Sequence, residues 1–157
     1  MRIETKTSQE TKKVASILAK KAVGHQGRQA RIFALEGNLG SGKTTFVQGF
    51  ARALGIREKI QSPTFVLMKI YKLRQVTRDK RHGIRHLIHI DCYRTDSPKD
   101  LLHLGFKDLL KDKDAIILIE WADRIKKLIP PNVIWLKFSH GKSPSERIIS
   151  VREGKEI

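Results

Sequence analysis

The sequence has little cysteine and no long apolar run. Cys92 is the only cysteine among 157 residues, so the chain cannot form an internal disulfide. No stretch approaches the roughly 18 consecutive apolar residues that a membrane-spanning helix requires, and residues 1–7 lack the apolar core of a secretory signal. These absences exclude a disulfide-stabilised secreted domain and a membrane-spanning one. We therefore expect a soluble protein of the cytoplasm with no membrane partner.

Acidic residues are also scarce. The chain has 16 Asp and Glu residues against 32 Lys and Arg residues, which gives a net charge of +16. A positive charge of this size favours contact with a polyanion such as RNA or DNA, because basic side chains neutralise phosphates and release counterions. The charge is spread along the whole chain, however, and such a distribution also serves solubility alone.

The rest of the composition is typical of one globular domain. A chain of 157 residues with 39% hydrophobic and 31% charged residues can bury a core without disulfides or a structural metal. The six histidines show no metal-ligand spacing such as HExxH, so a zinc site is not expected. We expect a single domain over residues 1–157, with a frayed tail after about residue 152.

One motif carries most of the functional information. Residues 37–44, Gly-Asn-Leu-Gly-Ser-Gly-Lys-Thr, match the phosphate-binding loop pattern GxxxxGK[ST] in full and follow an apolar run at 32–35. The three glycines permit a turn whose amide N–H groups face inward and bind anions. Lys43 adds a positive charge for the outer phosphates, and the Thr44 hydroxyl is placed to coordinate Mg²⁺. The motif therefore predicts a site for a nucleoside triphosphate.

Such a loop needs a second acid to hold the metal or its waters, usually at the carboxyl end of a neighbouring buried strand. Asp91 follows the apolar run 87–90, and Glu120 follows the apolar run 115–119. Either carboxylate is a candidate for the metal, and either is also a candidate for capping the turn after its strand. The tetrapeptide NKxD, which would select guanine, is absent. The expected ligands are therefore ATP and Mg²⁺.

The hydrophobic pattern predicts an α/β fold. Apolar runs of strand length alternate with segments of helical periodicity, which is typical of a P-loop NTPase-like, mostly parallel sheet with antiparallel edge strands and helices on both faces. The continuously apolar segment 115–119 is expected to be a central parallel strand. Predicted helices cover residues 8–22, 43–54, 97–104 and 122–128. Predicted strands cover residues 31–36, 65–71, 87–90, 115–119, 133–138 and 147–151.

A basic segment lies between two of the predicted strands. Residues 72–85 contain six Lys and Arg residues, with Asp79 as the only acid. A long basic hairpin arm fits this segment better than a crossover helix. Its side chains are expected to face either solvent or RNA. The basic residues are Lys72, Arg74, Arg78, Lys80, Arg81 and Arg85.

Four blocks of the sequence together resemble a known family. They are residues 37–46, 62–65, 89–94 (His-Ile-Asp-Cys-Tyr-Arg) and 118–124 (Leu-Ile-Glu-Trp-Ala-Asp-Arg). Their order and spacing are similar to those of the bacterial TsaE (YjeE) ATPases of tRNA threonylcarbamoyladenosine biosynthesis, over nearly the whole chain. The resemblance implies a small P-loop ATPase, slow by itself, that works with the TsaB–TsaD complex. TsaD would transfer the threonylcarbamoyl group to the adenosine next to the tRNA anticodon.

The resemblance also implies roles for individual residues. Asp91 would lie near the hydrolysed phosphate and act in catalysis with Lys43 and Glu120, and Trp121 would lie at the active face. Mg²⁺ would be held by Thr44 and Glu120. The start of the first helix, around Thr11, and the loop that ends at Arg147 would approach the nucleotide. Phosphate contacts would come from Gly40, Ser41, Gly42, Lys43, Thr44 and Thr45.

Two other functions use the same loop. A small-molecule kinase transfers the phosphate to an acceptor hydroxyl, but it needs an acceptor pocket and an arginine-bearing lid. A nucleic-acid-binding module would use ATP only as a structural ligand, but the chain has no aromatic-rich sheet motif of that kind. Ser62 and Thr64 form either an ordinary turn or a switch segment that senses the γ-phosphate.

Overall fold

A computed structural model describes residues 1–24, 27–61, 67–74, 83–95 and 97–154 of the chain. One sheet contains all seven strands of this part, in the spatial order β1-β7-β6-β2-β5-β4-β3. The strands are β1 (Arg2–Thr5), β2 (Arg31–Gly37), β3 (Met68–Lys72), β4 (His86–Asp91), β5 (Ala115–Glu120), β6 (Ile134–His140) and β7 (Arg147–Glu153). The helices are α1 (Ser8–Val23), α2 (Lys43–Ala53), α3 (Lys99–His103), α4 (Phe106–Leu110) and a 3₁₀ helix (Ala122–Leu128).

The centre of the sheet is parallel and its edges are antiparallel. Strands β6, β2, β5 and β4 run parallel to one another, while β1, β7 and β3 are antiparallel to their neighbours. The expectation of antiparallel edges is confirmed. Three of the six pairings in the described residues are antiparallel, however, so the sheet is evenly mixed and not mostly parallel. Every residue of β5 is buried, as its continuous apolar run predicts.

Helices cover both faces of the sheet, as expected. Ile116 and Leu118 of β5 belong to the apolar cluster that packs under α1 and α2. Ile117 and Ile119 point to the opposite face and join the cluster under α3, α4 and the 3₁₀ helix. This alternation follows from the two-residue period of a strand. The sheet therefore has one core on each face.

The long helices have clear sequence causes. Helix α1 begins where the Thr7 hydroxyl accepts a hydrogen bond from the Glu10 amide at 3.2 Å. In return, the Glu10 carboxylate accepts a hydrogen bond from the Lys6 amide. Gly49 of α2 faces α1 so closely that a Cβ there would lie 2.6 Å from Lys12 Cα. Helix α2 also places Phe50 edge-on against Phe33 of β2, with 5.0 Å between ring centroids. These contacts fix α2 above the central strand.

Several predicted boundaries were wrong. Strand β1 was missed because its alternating charged residues carry no apolar signal; it pairs with β7 through the backbone. The helix predicted over 97–104 is shorter, Lys99–His103, and the second short helix, α4, which was not predicted, follows Gly105 with φ 78°. Strand β7 runs to Glu153, beyond the predicted end at 151, and the Gly154 amide donates to the Val133 carbonyl at 2.8 Å.

Some predicted features lie outside the described residues. These are Ser62 and Thr64, the start of the predicted strand 65–71, and residues 75–82 of the basic arm. The arm's two ends are described: β3 and β4 are antiparallel neighbours, and the Leu73 amide donates to the Arg85 carbonyl at 2.8 Å. This is the arrangement that a hairpin connection requires. None of the helices in the described part of the chain is both long and apolar enough to cross a membrane.

Candidate functional site

The glycine-rich loop lies at the carboxyl edge of the central strand and leads directly into α2. Gly37 ends β2 with φ 147°, and a Cβ there would meet the Phe138 carbonyl oxygen at 2.4 Å, so only glycine fits. Gly42 caps α2 in the left-handed region, with φ 102°. The loop therefore brings its own amide groups and the positive end of the helix dipole to one place.

Lys43 is the first residue of α2, and its side chain turns back under the loop. Its ammonium group donates to the carbonyl oxygens of Gly37 at 2.7 Å and Asn38 at 2.9 Å. Burial lowers the pKa of Lys43 from its ordinary value of 10.5, and the nearby carboxylates, Glu120 first, oppose that change. Because the residue is only 4% exposed, its charge acts in a partly desolvated setting where electrostatic interactions are stronger than in water.

Glu120 contacts the loop. The Thr44 hydroxyl donates to Glu120 Oε2 at 3.0 Å, across 76 residues of sequence. The other oxygen, Oε1, lies 2.8 Å from His89 Nε2. Asp91 is the register partner of Glu120 on the neighbouring strand, and its Oδ1 accepts the Tyr93 amide at 2.9 Å. Two carboxylates thus end adjacent parallel strands beside the loop, one against the threonine and one with a contact to its own turn.

These groups line a cleft of about 490 Å³. Thr11 and Arg147, from the start of α1 and the start of β7, form part of its wall. Arg147 donates to the Gly40 carbonyl at 3.1 Å, which ties β7 to the loop. The cleft brings together the residues predicted to bind or act on the nucleotide and Trp121, which was predicted for the active face, with Ser8, Leu39, Tyr93 and Ser145 around them. The predicted residues in the lining are Thr11, Gly40, Ser41, Gly42, Lys43, Thr44, Thr45, Asp91, Glu120 and Arg147.

An aromatic group closes one side of the cleft. Trp121 has a left-handed backbone with φ 57°, which is uncommon for a bulky residue, and its ring lies 4.1 Å from the Lys43 ammonium group. Tyr93 packs beside it with 4.9 Å between ring centroids. Arg124 lies over both rings and donates to the Tyr93 carbonyl. The Trp121 ring thus faces the lysine of the loop.

Sequence reasoning missed two residues with defined contacts at the site, His89 and Tyr93. A signal existed for His89: in a buried strand that ends in Asp91, a residue two positions earlier faces the same side. Among the described residues, no group of three or more His, Cys, Asp and Glu side chains is arranged to hold a metal. A cation held by Thr44 and Glu120 would therefore need further oxygen ligands, such as those of a phosphate.

The fold and the cleft define the class: an α/β protein with a glycine-rich loop and two buried acids at the carboxyl edge of its parallel strands. The family model described as Threonylcarbamoyl adenosine biosynthesis protein TsaE matches residues 5–149. The chain therefore belongs to the TsaE family.

Individual relatives agree with the family match. The chain is 32% identical over 130 residues to the tRNA threonylcarbamoyladenosine biosynthesis protein TsaE of Treponema pallidum, which covers 83% of this chain and 84% of the relative. It is 34% identical over 126 residues to the protein of the same name from Bacillus subtilis, a match that covers 80% of this chain and 69% of the relative. The crystal structure of Bacillus subtilis YdiB has a TM-score of 0.74 at 27% identity and covers 99% of this chain and 86% of that one.

Proposed function

We propose that this chain is a P-loop ATPase: it binds ATP with Mg²⁺ and hydrolyses it. The hydrolysis supports the TsaB–TsaD complex in threonylcarbamoyl modification of the adenosine adjacent to the tRNA anticodon. The single observation that carries the proposal is the contact of 3.0 Å between the Thr44 hydroxyl and the Glu120 carboxylate beside the loop. Oxygen ligands of this kind are the ones that Mg²⁺ prefers. Membership in the TsaE family supports the pathway.

The loop binds the phosphates. Amide groups of Gly40, Ser41, Gly42 and the first residues of α2, including Thr45, donate to phosphate oxygens, and the helix dipole favours the same negative charge. Lys43 neutralises charge on the outer phosphates. Its position is supported by the carbonyl oxygens that hold it beneath the loop. Its burial makes this attraction larger than that of an exposed lysine.

Thr44 and Glu120 are the residues that would hold Mg²⁺, which when bound supplies charge neutralisation at the phosphate oxygens. Asp91 ends the adjacent strand β4, where it is the register partner of Glu120. It accepts a hydrogen bond from the attacking water and orients it toward the outermost phosphate. Lys43, Asp91 and Glu120 are thus the catalytic residues, and the two carboxylates act mainly on the transition state.

Thr11 and Arg147 contact the nucleotide from the walls of the cleft. Arg147 is tied to the Gly40 carbonyl, so its guanidinium group lies at the rim of the loop. Thr11 is held from behind by a hydrogen bond of 2.8 Å between its hydroxyl and that of Thr5. Strand β1, through Thr5, thereby anchors the wall at Thr11, and strand β7 carries the wall at Arg147.

The chain alone is a slow ATPase, because its arginines need a partner to align one of them on the γ-phosphate. TsaB–TsaD is that partner, and it binds preferentially when ATP is present. tRNA is reached through the partner complex or through the basic arm. These events belong to the cytoplasm, where the chain meets tRNA.

The experiment is to mix the purified chain with TsaB–TsaD and MgATP, then to measure phosphate release and complex formation. We expect phosphate release without any added acceptor, faster in the complex than in the chain alone. A small-molecule kinase would release none until an acceptor was supplied. Failure to release phosphate in the full complex, with ATP bound, would contradict the ATPase proposal.

A further inference from the structure

His89 is a fully buried histidine in contact with one of the site carboxylates. Its side chain is 0% exposed, and its Nε2 lies 2.8 Å from Glu120 Oε1, which is itself 2% exposed. Both residues point to the face of the sheet that carries α1 and α2. The contact joins β4 to β5 directly behind the contact between Glu120 and Thr44.

The environment of the ring determines which nitrogen carries the proton. An ionised carboxylate only accepts hydrogen bonds, so Nε2 must be the donor toward Glu120. The other nitrogen, Nδ1, is buried and has no hydrogen-bond partner in the part of the chain that the structure describes. A proton on Nδ1 would leave a buried N–H without an acceptor, which costs more than an unused lone pair. The contact therefore has His89 Nε2 as the donor and Glu120 Oε1 as the acceptor.

We propose that His89 is a positioning residue for Glu120. A carboxylate can rotate about its terminal bond, and each orientation presents different oxygen atoms to the loop. The donor at Nε2 holds Oε1, and this fixes the carboxylate so that Oε2 lies 3.0 Å and Oε1 lies 3.3 Å from the Thr44 hydroxyl. His89 thus orients the acid without touching nucleotide or metal. Groups behind metal ligands commonly act in this way.

The inference rests on the proposed function, because it concerns how Glu120 would hold Mg²⁺. The matched substitutions are His89→Gln and His89→Met. The two new side chains have similar length and flexibility, but only glutamine carries a donor that reaches about the position of Nε2. The control is His86→Met, which changes a histidine at the opposite end of the same strand, 3.6 Å from Asp112.

The measurement is the affinity of Mn²⁺, as a probe for Mg²⁺, for the chain saturated with a non-hydrolysable ATP analogue, read by electron paramagnetic resonance. We expect His89→Met to weaken Mn²⁺ binding about 10-fold or more. His89→Gln should stay within about 3-fold of the unsubstituted chain, and His86→Met should change nothing. Nucleotide affinity in EDTA should be equal in all variants, which a general loss of structure would not allow.

A second measurement needs no variant to fold. Nitrogen NMR of the histidine rings in the unsubstituted chain at neutral pH should show the His89 tautomer with the proton on Nε2. The opposite tautomer would overturn the inference, and so would equal Mn²⁺ affinity in His89→Met and the unsubstituted chain. If the unsubstituted chain itself bound neither the analogue nor Mn²⁺, the proposed function would fail instead, and the tautomer would still report on His89.

Discussion

The Lys43 ammonium group lies 4.1 Å from the centroid of the Trp121 ring, and Trp121 has a left-handed backbone with φ 57°. Phosphate oxygens would compete with the ring for this cation. We therefore expect Trp121 to report nucleotide binding.

The first prediction is a saturable change in tryptophan fluorescence when MgATP is added. The signal should remain in Trp135→Phe, because Trp135 is not one of the described residues that line the cleft. It should disappear in Trp121→Phe while calorimetry still detects binding. A signal that survives in Trp121→Phe would mean that the ring does not sense the loop.

The second prediction separates the two polar residues at the start of α2. Lys43→Ala should weaken ATP binding by about 10- to 100-fold, because it removes charge-assisted hydrogen bonds to phosphate worth roughly 1.5–3 kcal/mol. Thr44→Ala should bind ATP better than Lys43→Ala does, but it should lose hydrolysis with its metal ligand.

Thr44→Ser is the control for this pair, since it keeps the hydroxyl and should keep most of the activity. Calorimetry and phosphate release measure the two effects. Unchanged hydrolysis in folded Lys43→Ala and Thr44→Ala would refute the phosphate-loop interpretation.

The third prediction concerns Asp91. Asp91→Asn should reduce kcat by roughly 10²- to 10⁴-fold, the usual contribution of a general base, and leave MgATP affinity within about 3-fold. The asparagine oxygen can still accept the Tyr93 amide, so the local turn should persist. Asp108→Asn, a change in α4, is the control. If Asp91→Asn hydrolyses ATP normally in the TsaB–TsaD complex, the carboxylate is only a cap for its turn.

Some of this arrangement could be predicted from the sequence. The phosphate-binding loop and strand β5 are local features of the sequence. A motif of eight residues specifies the loop, and an unbroken apolar run specifies β5. Both lie where they were predicted. Strand β1 was not predictable in this way, because an edge strand held by backbone pairing needs no apolar pattern.

The contacts of Glu120 were harder to predict for a different reason. The contact with Thr44 spans 76 positions of sequence and the contact with His89 spans 31, so both depend on strand order and register. The sequence left Asp91 and Glu120 as equal candidates for the loop contact. Only the placement of β5 next to β2 decides it, because β4 lies one strand further away.

The fourth prediction concerns Cys92, which is fully buried directly after β4. Burial raises the pKa of its thiol from 9.0 to about 12, because the thiolate would lose its hydration. The native chain should therefore react with a thiol reagent far more slowly than the chain in denaturant. Rapid stoichiometric labelling of the folded chain near pH 8 would contradict this.

The same pKa predicts how stability depends on pH. Above pH 9.0 the unfolded chain releases the thiol proton while the folded chain keeps it, so the contribution of Cys92 to stability is complete below pH 9.0 and is lost as the pH rises toward about 12. The difference in unfolding free energy between the unsubstituted chain and Cys92→Ala should fall over this range. A difference that stays constant or grows with pH would have the wrong sign.

The last prediction concerns the basic arm. Lys72 and Arg74 are solvent-exposed at its first end, and Arg85 at its second end lies 3.7 Å from Asp114. If the arm contacts tRNA, each lost phosphate contact should reduce the slope of log affinity against log salt by about 0.9. Neutralising Lys72, Arg74 and Arg78 together should flatten the slope by roughly 2 to 3 units and leave basal ATPase activity intact.

The control must remove the same charge elsewhere, because any loss of three positive charges weakens the long-range attraction to RNA. Neutralising Lys107, Lys111 and Lys127, which are exposed in and around α4 and the 3₁₀ helix, does this away from β3 and β4, the strands that carry the ends of the arm. Titrations with labelled tRNA at several salt concentrations should be made on the chain alone and in the TsaB–TsaD complex. The arm is a tRNA contact if its triple variant flattens the slope and the control does not. Equal slopes in the two variants would leave the arm as a solvated surface.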